Sequence, residues 1–358
     1  MTDNTQKKIN VGVVGFGMSA RVFHCPLIVS SPYLHLAAVV ERKSDKSKDV
    51  YPWISVFKNT DDLFASSEVD LVVITTPNGS HYPLALQALK SGKHVVVEKP
   101  FTITSQEAEE LCRVAKETGL ICSVYQNRRW DGDFLTVKKL ISAGHLGRLV
   151  EFESHFDRFR NFVKAGWREQ SDAPGSGMLY DLGAHLIDQA LSLFGMPKTV
   201  YATVSNQRQL KETDVADDFT IILGYENSFK AILRSSMLAR HTPVLRFNLR
   251  GMNGGFRKEY LDVQEDQLKA GLVPSDTEYG IESSDRYGYI NADVGGVHIV
   301  GKVDTEKGDY LAYYNNVGES ILKSDPSLLA VKPEDGANCI RIIELAQKSS
   351  DEGRVIVL

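Results

Sequence analysis

The sequence predicts a two-domain chain: an α/β Rossmann domain with a doubly wound parallel sheet, followed by an α+β domain with a large, open, mostly antiparallel sheet. The length of 358 residues allows about two domains at roughly 150 residues each. In the first third of the chain, almost continuous apolar runs alternate with helical patterns, which is typical of a parallel sheet covered on both faces. Further along, apolar and polar residues alternate, which favours antiparallel strands. We therefore assign residues 1–126 to the first domain and residues 127–358 to the second.

The elements of each domain follow from local residue patterns. Thr104 followed by Glu107 forms a capping-box pattern, which predicts the start of a helix over 105–118. Residues 252–310 are rich in Gly, Asp, Ser and Tyr, and we predict that they form long loops. The other predicted strands are 9–14, 36–40, 71–75, 95–97, 121–125, 150–156, 199–205, 219–225, 229–237, 245–251 and 355–358, and the other predicted helices are 18–29, 80–91, 310–323 and 334–348.

The composition excludes several classes of protein. The chain has 41 Lys and Arg against 46 Asp and Glu, and a formal net charge of −5 does not favour a nucleic-acid partner. No apolar run reaches the roughly 18–20 residues that span a bilayer, and residues 1–8 are polar without a signal-peptide core. The four cysteines form no C-x-x-C pair and have no metal-ligand spacing with histidine. We expect a cytoplasmic protein with reduced thiols, no metal, no membrane contact and no nucleic-acid partner.

A glycine-rich turn follows the first predicted strand. Residues 15–20 fit the pattern G-x-G-x-x-A and lie between a strand and a helix, the context that dinucleotide binding requires. The first glycine permits the tight turn, the second lets the backbone approach a pyrophosphate, and the small last residue lets helix and strand pack closely. The start of the helix supplies free N–H groups and a partial positive charge for the phosphates. The predicted cofactor contacts in this turn are Gly15, Phe16, Gly17, Met18 and Ser19.

The residues after the second strand bear on which dinucleotide binds. Glu41 lies 24 residues after Gly17, where an acid usually accepts hydrogen bonds from the ribose hydroxyls of NAD. Arg42 and Lys43 follow at once, and an arginine here can pair with the 2′-phosphate of NADP or stack on adenine in either cofactor. Glu41 and Arg42 are predicted cofactor contacts, but NAD and NADP both stay open. The alternative for Arg42 and Lys43 is a solvated turn.

Two further positions carry groups suited to proton transfer. Asp181 and His185 are four residues apart, so on a helix both side chains share one face, with Asp188 one turn further on. Histidine, with an unperturbed pKa of about 6.5, is a suitable acid or base near neutral pH. Lys99 follows an apolar strand and precedes Pro100, so we expect it at the carboxyl end of the sheet, where ligands bind. The alternatives are a core histidine beside a capping aspartate and an exposed strand-end lysine.

Four motifs occur together in one order along the chain. They are Thr75-Thr76-Pro77-Asn78 with His81, Glu98-Lys99-Pro100, Asn127-Arg128-Arg129-Trp130 and Tyr180-Asp181-Leu182-Gly183-Ala184-His185. In this order and spacing the set resembles the Gfo/Idh/MocA oxidoreductases, the family of glucose–fructose oxidoreductase and inositol dehydrogenase, over essentially the whole chain. Within that family the chain looks most like the NADP-dependent scyllo-inositol dehydrogenases, a likeness that residues 127–135, 167–169 and 264–266 carry.

The resemblance implies a role for each matching position. Lys99 would hydrogen-bond the reacting hydroxyl, while Asp181 and His185 would be the acidic partner and the acid or base. Glu41 is a departure, because the NADP-dependent inositol enzymes carry a small hydroxyl residue there. The expected catalytic residues are Lys99, Asp181 and His185, and the expected substrate contacts are these three with Arg128, Trp130 and Arg158. Further cofactor contacts are expected from Thr75, Thr76, Pro77, Asn78, His81, Glu98, Lys99, Asn127, Trp167 and Arg168.

The expected activity is NAD(P)-dependent hydride transfer to or from a secondary alcohol or ketone, or an aldose C1, of a cyclitol or sugar. Two alternatives stay open: a non-catalytic NAD(P)-sensing regulator of the yeast galactose-repressor type, and an NAD-dependent redox glycosidase. The presence of Lys99, Asp181 and His185 argues against the regulator. The second domain is expected to bind substrate and to oligomerise, since its sheet has no obvious covering helices and its apolar positions need a partner. We expect a homodimer or homotetramer.

Overall fold

The first six strands of the computed structural model, which describes residues 8–358, lie in one parallel sheet. They are β1 (Ile9–Val14), β2 (Leu34–Val40), β3 (Ser55–Phe57), β4 (Leu71–Ile74), β5 (His94–Val97) and β6 (Cys122–Val124). Their order across the sheet is β3-β2-β1-β4-β5-β6, so the chain winds outward from β1 in both directions. Every residue of β4 is buried, as expected for a strand covered on both faces. The predicted Rossmann sheet is confirmed.

Helices connect these parallel strands. A π-helical turn, Ala20–His24, leads into α1 (Cys25–Ser30), and α2 (Ser47–Val50), α3 (Thr60–Ala65), α4 (His81–Lys90) and α5 (Ser105–Thr118) follow. The predicted capping box begins α5. The hydroxyl of Thr104 accepts a hydrogen bond from the backbone N–H of Glu107, and the Glu107 carboxylate accepts one from the N–H of Thr104. Both hydrogen bonds satisfy donors at a helix start that would otherwise be unpaired.

The strands that follow β6 build a second, nine-stranded sheet. Its strands are β7 (Leu149–His155), β8 (Thr199–Ser205), β9 (Asp218–Gly224), β10 (Lys230–Ser236), β11 (Leu245–Gly251), β12 (Gly254–Glu259), β13 (Gly288–Val294), β14 (Val297–Val303) and β15 (Ile356–Val357), and the helices are α6 (Gly132–Ser142), α7 (Ala184–Phe194), α8 (Gln264–Lys269), α9 (Leu311–Leu322) and α10 (Pro333–Glu352). The strand order is β14-β13-β12-β11-β7-β10-β9-β8-β15. β7 and β10 pair in parallel and the other neighbours pair antiparallel. The predicted mostly antiparallel sheet is confirmed.

Residues 252–310 are not the long loops that we predicted, because they contain β12, α8, β13 and β14. The alternating pattern of β12 is hidden by a charged residue at an inward position. Lys258 is fully buried and its ammonium lies 3.0 Å from Glu282 Oε1, so an ion pair takes the place of an apolar contact. At the edge of the sheet, the four residues 297–300 are all exposed, so β14 has no buried face to reveal. The apolar pattern of the sequence therefore understates the second sheet.

One face of β7 carries charged groups that are largely shielded from solvent. Both ring nitrogens of His155 face carboxylates, Nδ1 at 2.9 Å from Asp157 Oδ2 and Nε2 at 3.0 Å from Glu153 Oε1. Burial would lower the pKa of His155, but the hydrogen bonds to the two carboxylates raise it. The hydrogen bond from His155 in turn lowers the pKa of Glu153 to about 2, although burial opposes this shift. When its ring is protonated, His155 therefore joins Glu153 and Asp157 in one ionised unit.

The chain divides into two units, and each unit is built from three separate stretches of sequence rather than from one side of a boundary between 126 and 127. One unit contains Met1–Asn127, Gln264–Tyr279 and Asp309–Ala337, and the other contains Arg128–Val263, Gly280–Gly308 and Asn338–Leu358. Our assignment of all of 127–358 to the second domain differs from this division. Helix α9 belongs to the first unit because its tyrosines complete that unit's core. The buried rings of Tyr313 and Tyr314 lie 5.0 and 5.7 Å from the ring of Tyr125, centroid to centroid.

Residues 1–7 of the polar N-terminal stretch fall outside the described residues. Among residues 8–358, no helix is long and apolar enough to cross a membrane.

Candidate active site

The glycine-rich turn lies at the carboxyl end of β1. Gly15 has a φ of +99°, which favours glycine, and a Cβ there would lie 3.2 Å from Thr75 Oγ1. Gly17 has no such φ, and a Cβ there would meet no atom within 4 Å. The local fold therefore does not demand glycine at position 17, whereas a phosphate that approaches the backbone does. This open space beside Gly17 fits the turn to a dinucleotide.

The side chains of the same turn face different surroundings. Met18 is exposed, while the ring of Phe16 meets the ring of Tyr51 edge-on with 6.4 Å between centroids. The hydroxyl of Ser19 donates to the Glu98 carboxylate, which ties the turn to the end of β5. Of the predicted contacts in the turn, Met18 is thus open to a ligand through its side chain, and Ser19 is held by the fold.

Glu41 uses its carboxylate within its own loop. Its Oε1 accepts a hydrogen bond from the Ser44 hydroxyl at 2.6 Å, and its Oε2 accepts one from the backbone N–H of Ser47 at 2.8 Å. The residue is only 8% exposed, and although burial would raise the pKa of Glu41, the hydrogen bonds from Ser44 and Ser47 lower it. Arg42 and Lys43, in contrast, are exposed. The loop therefore presents cations outward and keeps its carboxylate inward.

The predicted cofactor loop after β4 is shaped by a buried histidine. His81 is 1% exposed, with Nδ1 2.8 Å from the Pro100 carbonyl oxygen and Nε2 2.9 Å from the Thr76 carbonyl oxygen. Burial lowers the pKa of His81, and the two carbonyls oppose that shift. His81 thus joins the loops that follow β4 and β5. Thr75 and Thr76 are half-buried, Pro77 is exposed, and Asn78 is buried.

The Glu98 carboxylate, next to Lys99 in the sequence, accepts hydrogen bonds from several groups of its own chain. Its Oε1 lies 2.9 Å from His24 Nε2 and accepts from Ser19, and its Oε2 accepts from the backbone N–H of Lys99 at 2.9 Å. Burial would raise the pKa of Glu98, but the hydrogen bond and charge of His24 and the charge of Lys99 outweigh it and hold the pKa at about 2. Lys99 itself is half-buried and is followed by a cis peptide bond to Pro100. Glu98, a predicted cofactor contact, is occupied by donors of its own chain.

The predicted acid–base residues lie on one helical stretch of the second unit. Asp181 is in a π-helical turn, Leu179–Gly183, that runs into α7, which carries His185 and Asp188. Asp188 accepts a paired hydrogen bond from Arg129, at 2.8 Å from Nε and 2.7 Å from Nη2. This ion pair fixes the segment that follows Asn127 against α7.

Three predicted substrate residues meet around one aromatic ring. The guanidinium carbons of Arg128 and Arg158 lie 4.7 and 5.2 Å from the ring centroid of Phe156, and the His185 ring stacks on it at 6.3 Å. Phe156 is 1% exposed and was not among the predicted site residues. Its alternation with Arg158 on one run of sequence was the available signal, but alternation by itself also describes an ordinary core residue. Trp130, the other predicted substrate contact, is half-buried.

A second cluster surrounds Asp181. Arg168 Nε lies 3.2 Å from Asp181 Oδ1, and the Arg168 guanidinium carbon lies 4.5 Å from the ring centroid of Trp167. The next residue, Glu169, is held by Arg208, whose guanidinium also pairs with Asp217 and donates to a backbone carbonyl at 2.9 Å. The turn that carries Trp167 and Arg168 is therefore tied down on one side and paired with a predicted catalytic carboxylate on the other.

Within residues 8–358, no three His, Cys, Asp or Glu side chains are grouped so that they could hold a metal ion. Asn127, a predicted cofactor contact, is buried.

Two family models cover the chain. An oxidoreductase family with an NAD-binding Rossmann fold matches residues 9–126, and the C-terminal alpha/beta domain of the same family, Gfo/Idh/MocA, matches residues 138–358. The scyllo-inositol 2-dehydrogenase (NADP(+)) IolW of Bacillus subtilis is 39% identical over 98% of this chain and 96% of its own length. The scyllo-inositol 2-dehydrogenase (NAD(+)) of the same organism is 28% identical over 53% of this chain and 55% of its own. The solved structure of the oxidoreductase yvaA from Bacillus subtilis superimposes with a TM-score of 0.93, at 39% identity and 98% coverage of both chains.

Proposed function

The chain belongs to the Gfo/Idh/MocA family of NAD(P)-dependent oxidoreductases, and from that premise we propose that its substrate is a cyclitol or sugar. The hydride passes between nicotinamide and a secondary alcohol or ketone, or an aldose C1. The observation that carries the proposal is the meeting of Arg128, Arg158 and His185 around Phe156. Guanidinium groups offer several fixed donors to neighbouring hydroxyls, and an imidazole can exchange a proton with one of them. The name of the NADP-dependent inositol dehydrogenase relative supports a cyclitol.

Oxidation of an alcohol removes a hydride from carbon and a proton from oxygen. The dinucleotide, when bound, accepts the hydride. We assign the proton to His185, with Asp181 as the acidic partner, because an imidazole gains and loses a proton near neutral pH. Lys99 donates a hydrogen bond to the substrate oxygen and stabilises the alkoxide charge that develops on it. In the opposite direction the same groups return the proton to a ketone.

The same proposal includes a preference for NADP over NAD. Each carboxylate oxygen of Glu41 already accepts one hydrogen bond, from Ser44 or from Ser47, and the residue is 8% exposed, so little of the carboxylate is presented to a ribose. The exposed Arg42 and Lys43 supply the cations that a 2′-phosphate needs. Relatives of both kinds exist, and the one that matches 98% of this chain is named as NADP-dependent.

The catalytic assignment is tested with Lys99→Met and His185→Ala. Both variants are assayed on a panel of inositols, glucose and xylose, with NADP(H) and with NAD(H) as the cofactor. Each change should lower turnover roughly 10²–10⁴-fold, as for other positioned acids and bases. The matched controls Lys90→Met and His145→Ala alter residues outside the candidate site and should keep normal turnover. Equal activity of the test and control variants would reject the assignment. Tight cofactor binding without turnover of any sugar by the wild type would favour the regulator.

A further proposal concerns assembly: the open face and edge of the second sheet join a second copy of the chain. Three apolar residues of the edge strand β14 are exposed, Val297, Ile299 and Val300, and Tyr289 on β13 is 52% exposed. An apolar, unpaired edge of this kind attracts another strand or sheet. Sedimentation at micromolar concentration should give more than one 39.8 kDa chain, and Ile299→Lys should reduce that mass. A single-chain mass for the wild type would refute the proposal.

A further inference from the structure

We infer that His24 and Tyr314 are positioning residues of the reaction, which hold Glu98 so that it fixes the backbone of Lys99 and the cofactor turn in one arrangement. The inference rests on the proposed function, since the role of Lys99 is assigned there. Neither His24 nor Tyr314 was selected from the sequence. They lie 290 positions apart and meet only in the folded first unit.

The Glu98 carboxylate is fixed by three donors of its own unit. It accepts hydrogen bonds from His24 Nε2 at 2.9 Å, from the Ser19 hydroxyl, and from the backbone N–H of Lys99 at 2.9 Å. Three donors on two oxygens leave the carboxylate a single orientation, because any rotation breaks at least one of these bonds. Glu98 thereby links the glycine-rich turn, through Ser19, to the residue that we propose contacts the substrate oxygen.

The orientation of His24 is set by hydrogen bonds at both of its ring nitrogens. A carboxylate only accepts, so Nε2 of His24 must carry the proton that it shares with Glu98. The other nitrogen, Nδ1, is in hydrogen-bond contact with the Tyr314 hydroxyl. The Tyr314 hydroxyl donates to Nδ1 when the ring is neutral and accepts from it when the ring is protonated, and in both states Nε2 is the donor to Glu98. Tyr314, His24 and Glu98 thus form one directed chain of hydrogen bonds.

Packing alone does not account for this chain of hydrogen bonds. His24 and Tyr314 are both fully buried, and the ring of Tyr125 lies 4.3 Å from the His24 ring. Polar groups in such a place are costly unless their hydrogen bonds are made, and apolar residues would fill the volume equally well. The ionised state of Glu98 is maintained by the same contacts, since its pKa is about 2. The arrangement therefore serves to hold the Glu98 carboxylate in place beside Lys99.

The experiment compares Tyr314→Phe with Tyr313→Phe. Each change removes one hydroxyl without changing the ring, and both tyrosines are buried on α9 against Tyr125. The Tyr313 hydroxyl, however, donates to Ser123 at 2.9 Å and does not belong to the chain that ends at Glu98. We expect Tyr314→Phe to lower kcat about tenfold, with KM and cofactor Kd changed less than about twofold, because a loosened proton-handling group costs rate rather than binding. Tyr313→Phe should leave kcat within about twofold of the wild type. Equal kcat values for the two variants would overturn the inference.

A measurement without turnover separates this inference from the proposed function. In ¹H–¹⁵N NMR spectra, the wild type should show the His24 ring protonated at Nε2 and a downfield amide proton for Lys99, owing to its bond to Glu98. Tyr314→Phe should shift both signals and Tyr313→Phe should shift neither. A Lys99 amide signal that is unchanged in Tyr314→Phe overturns the positioning role. The expected spectra together with a wild type that oxidises no polyol would overturn the proposed function instead.

Discussion

Replacement of Arg42 by glutamine should weaken NADPH binding and leave NADH binding nearly unchanged. The reason is the direction in which the loop after β2 presents its charges. Glu41 is turned inward onto Ser44 and Ser47, and Arg42 is exposed. If this loop binds the 2′-phosphate, the arginine is its principal partner and the carboxylate does not repel it strongly.

The magnitude follows from the type of bond that is lost. A hydrogen bond between a charged donor and a charged acceptor contributes about 1.5–3 kcal/mol, and exposure to solvent reduces this toward the lower figure. Since about 1.4 kcal/mol corresponds to tenfold in affinity, we expect Kd for NADPH to rise about tenfold. The effect should fall as ionic strength rises, because the phosphate and the guanidinium are both screened at an exposed site.

The assay is a fluorescence titration of wild type, Arg42→Gln and the control Lys48→Gln with NADPH and with NADH. Lys48 is an exposed cation on α2, so its replacement changes the net charge equally without removing the proposed contact. Equal weakening by both variants would mean a general electrostatic effect. Wild-type protein that binds NADH more tightly than NADPH would refute this expectation, because Arg42 would then not be the principal partner of a 2′-phosphate.

Three further changes test other parts of the second unit. Arg208→Met leaves the buried Asp217 carboxylate without its cation and Glu169 with Arg160 alone, and it should cost roughly 3–5 kcal/mol in urea unfolding. Arg257→Met removes a cation whose side chain is 58% exposed and should cost less than about 1 kcal/mol; equal losses would contradict this. Phe156→Leu should lower kcat/KM about tenfold, beyond the effect of Phe152→Leu on β7, because the Phe156 ring aligns two arginines and His185; matching kinetics for the two variants would exclude that role. The raised pKa of His155 means that its ion pairs are fully present below about pH 6.5 and are lost as pH rises through the folded-state pKa. His155→Gln should therefore destabilise the fold by about 1–2 kcal/mol at about pH 6 and by less at about pH 9, and a pH-independent difference in thermal or urea unfolding would argue against the ionised unit.

The first sheet could be predicted because each of its strands is buried on both faces and therefore reads as an apolar run. The capping box at Thr104 could be predicted because its hydrogen bonds join residues three positions apart. Two strands within 252–310 gave no such signal, since a buried ion pair at Lys258 interrupts the apolar pattern of β12 and residues 297–300 of β14 are all exposed. β13 does alternate between buried and exposed positions over 288–293, and that signal was missed. Periodicity reports burial of apolar side chains only.

The candidate site shows the same limit at the level of side chains. Motifs pointed to Lys99 and His185 because reactive residue types lie at fixed spacings. The inward turn of Glu41 could not be foreseen, because Ser44 and Ser47 compete for its carboxylate only when the loop has folded. Phe156 and Tyr314 were missed for another reason: each is an apolar or aromatic residue whose importance comes from partners distant in sequence.

The late position of helix α9 in the chain has a consequence for how the molecule is made. The first unit takes Asp309–Ala337 into its core, so its sheet is synthesised long before the tyrosines that cover Tyr125 and engage His24. Until most of the polypeptide has been synthesised, the nascent Rossmann sheet exposes an apolar surface to water. His24, which is buried in the folded unit, is exposed as well during that time. A fragment that ends at residue 127 therefore lacks part of its own core, and the unit that binds the nucleotide becomes complete only when almost the whole chain has been translated.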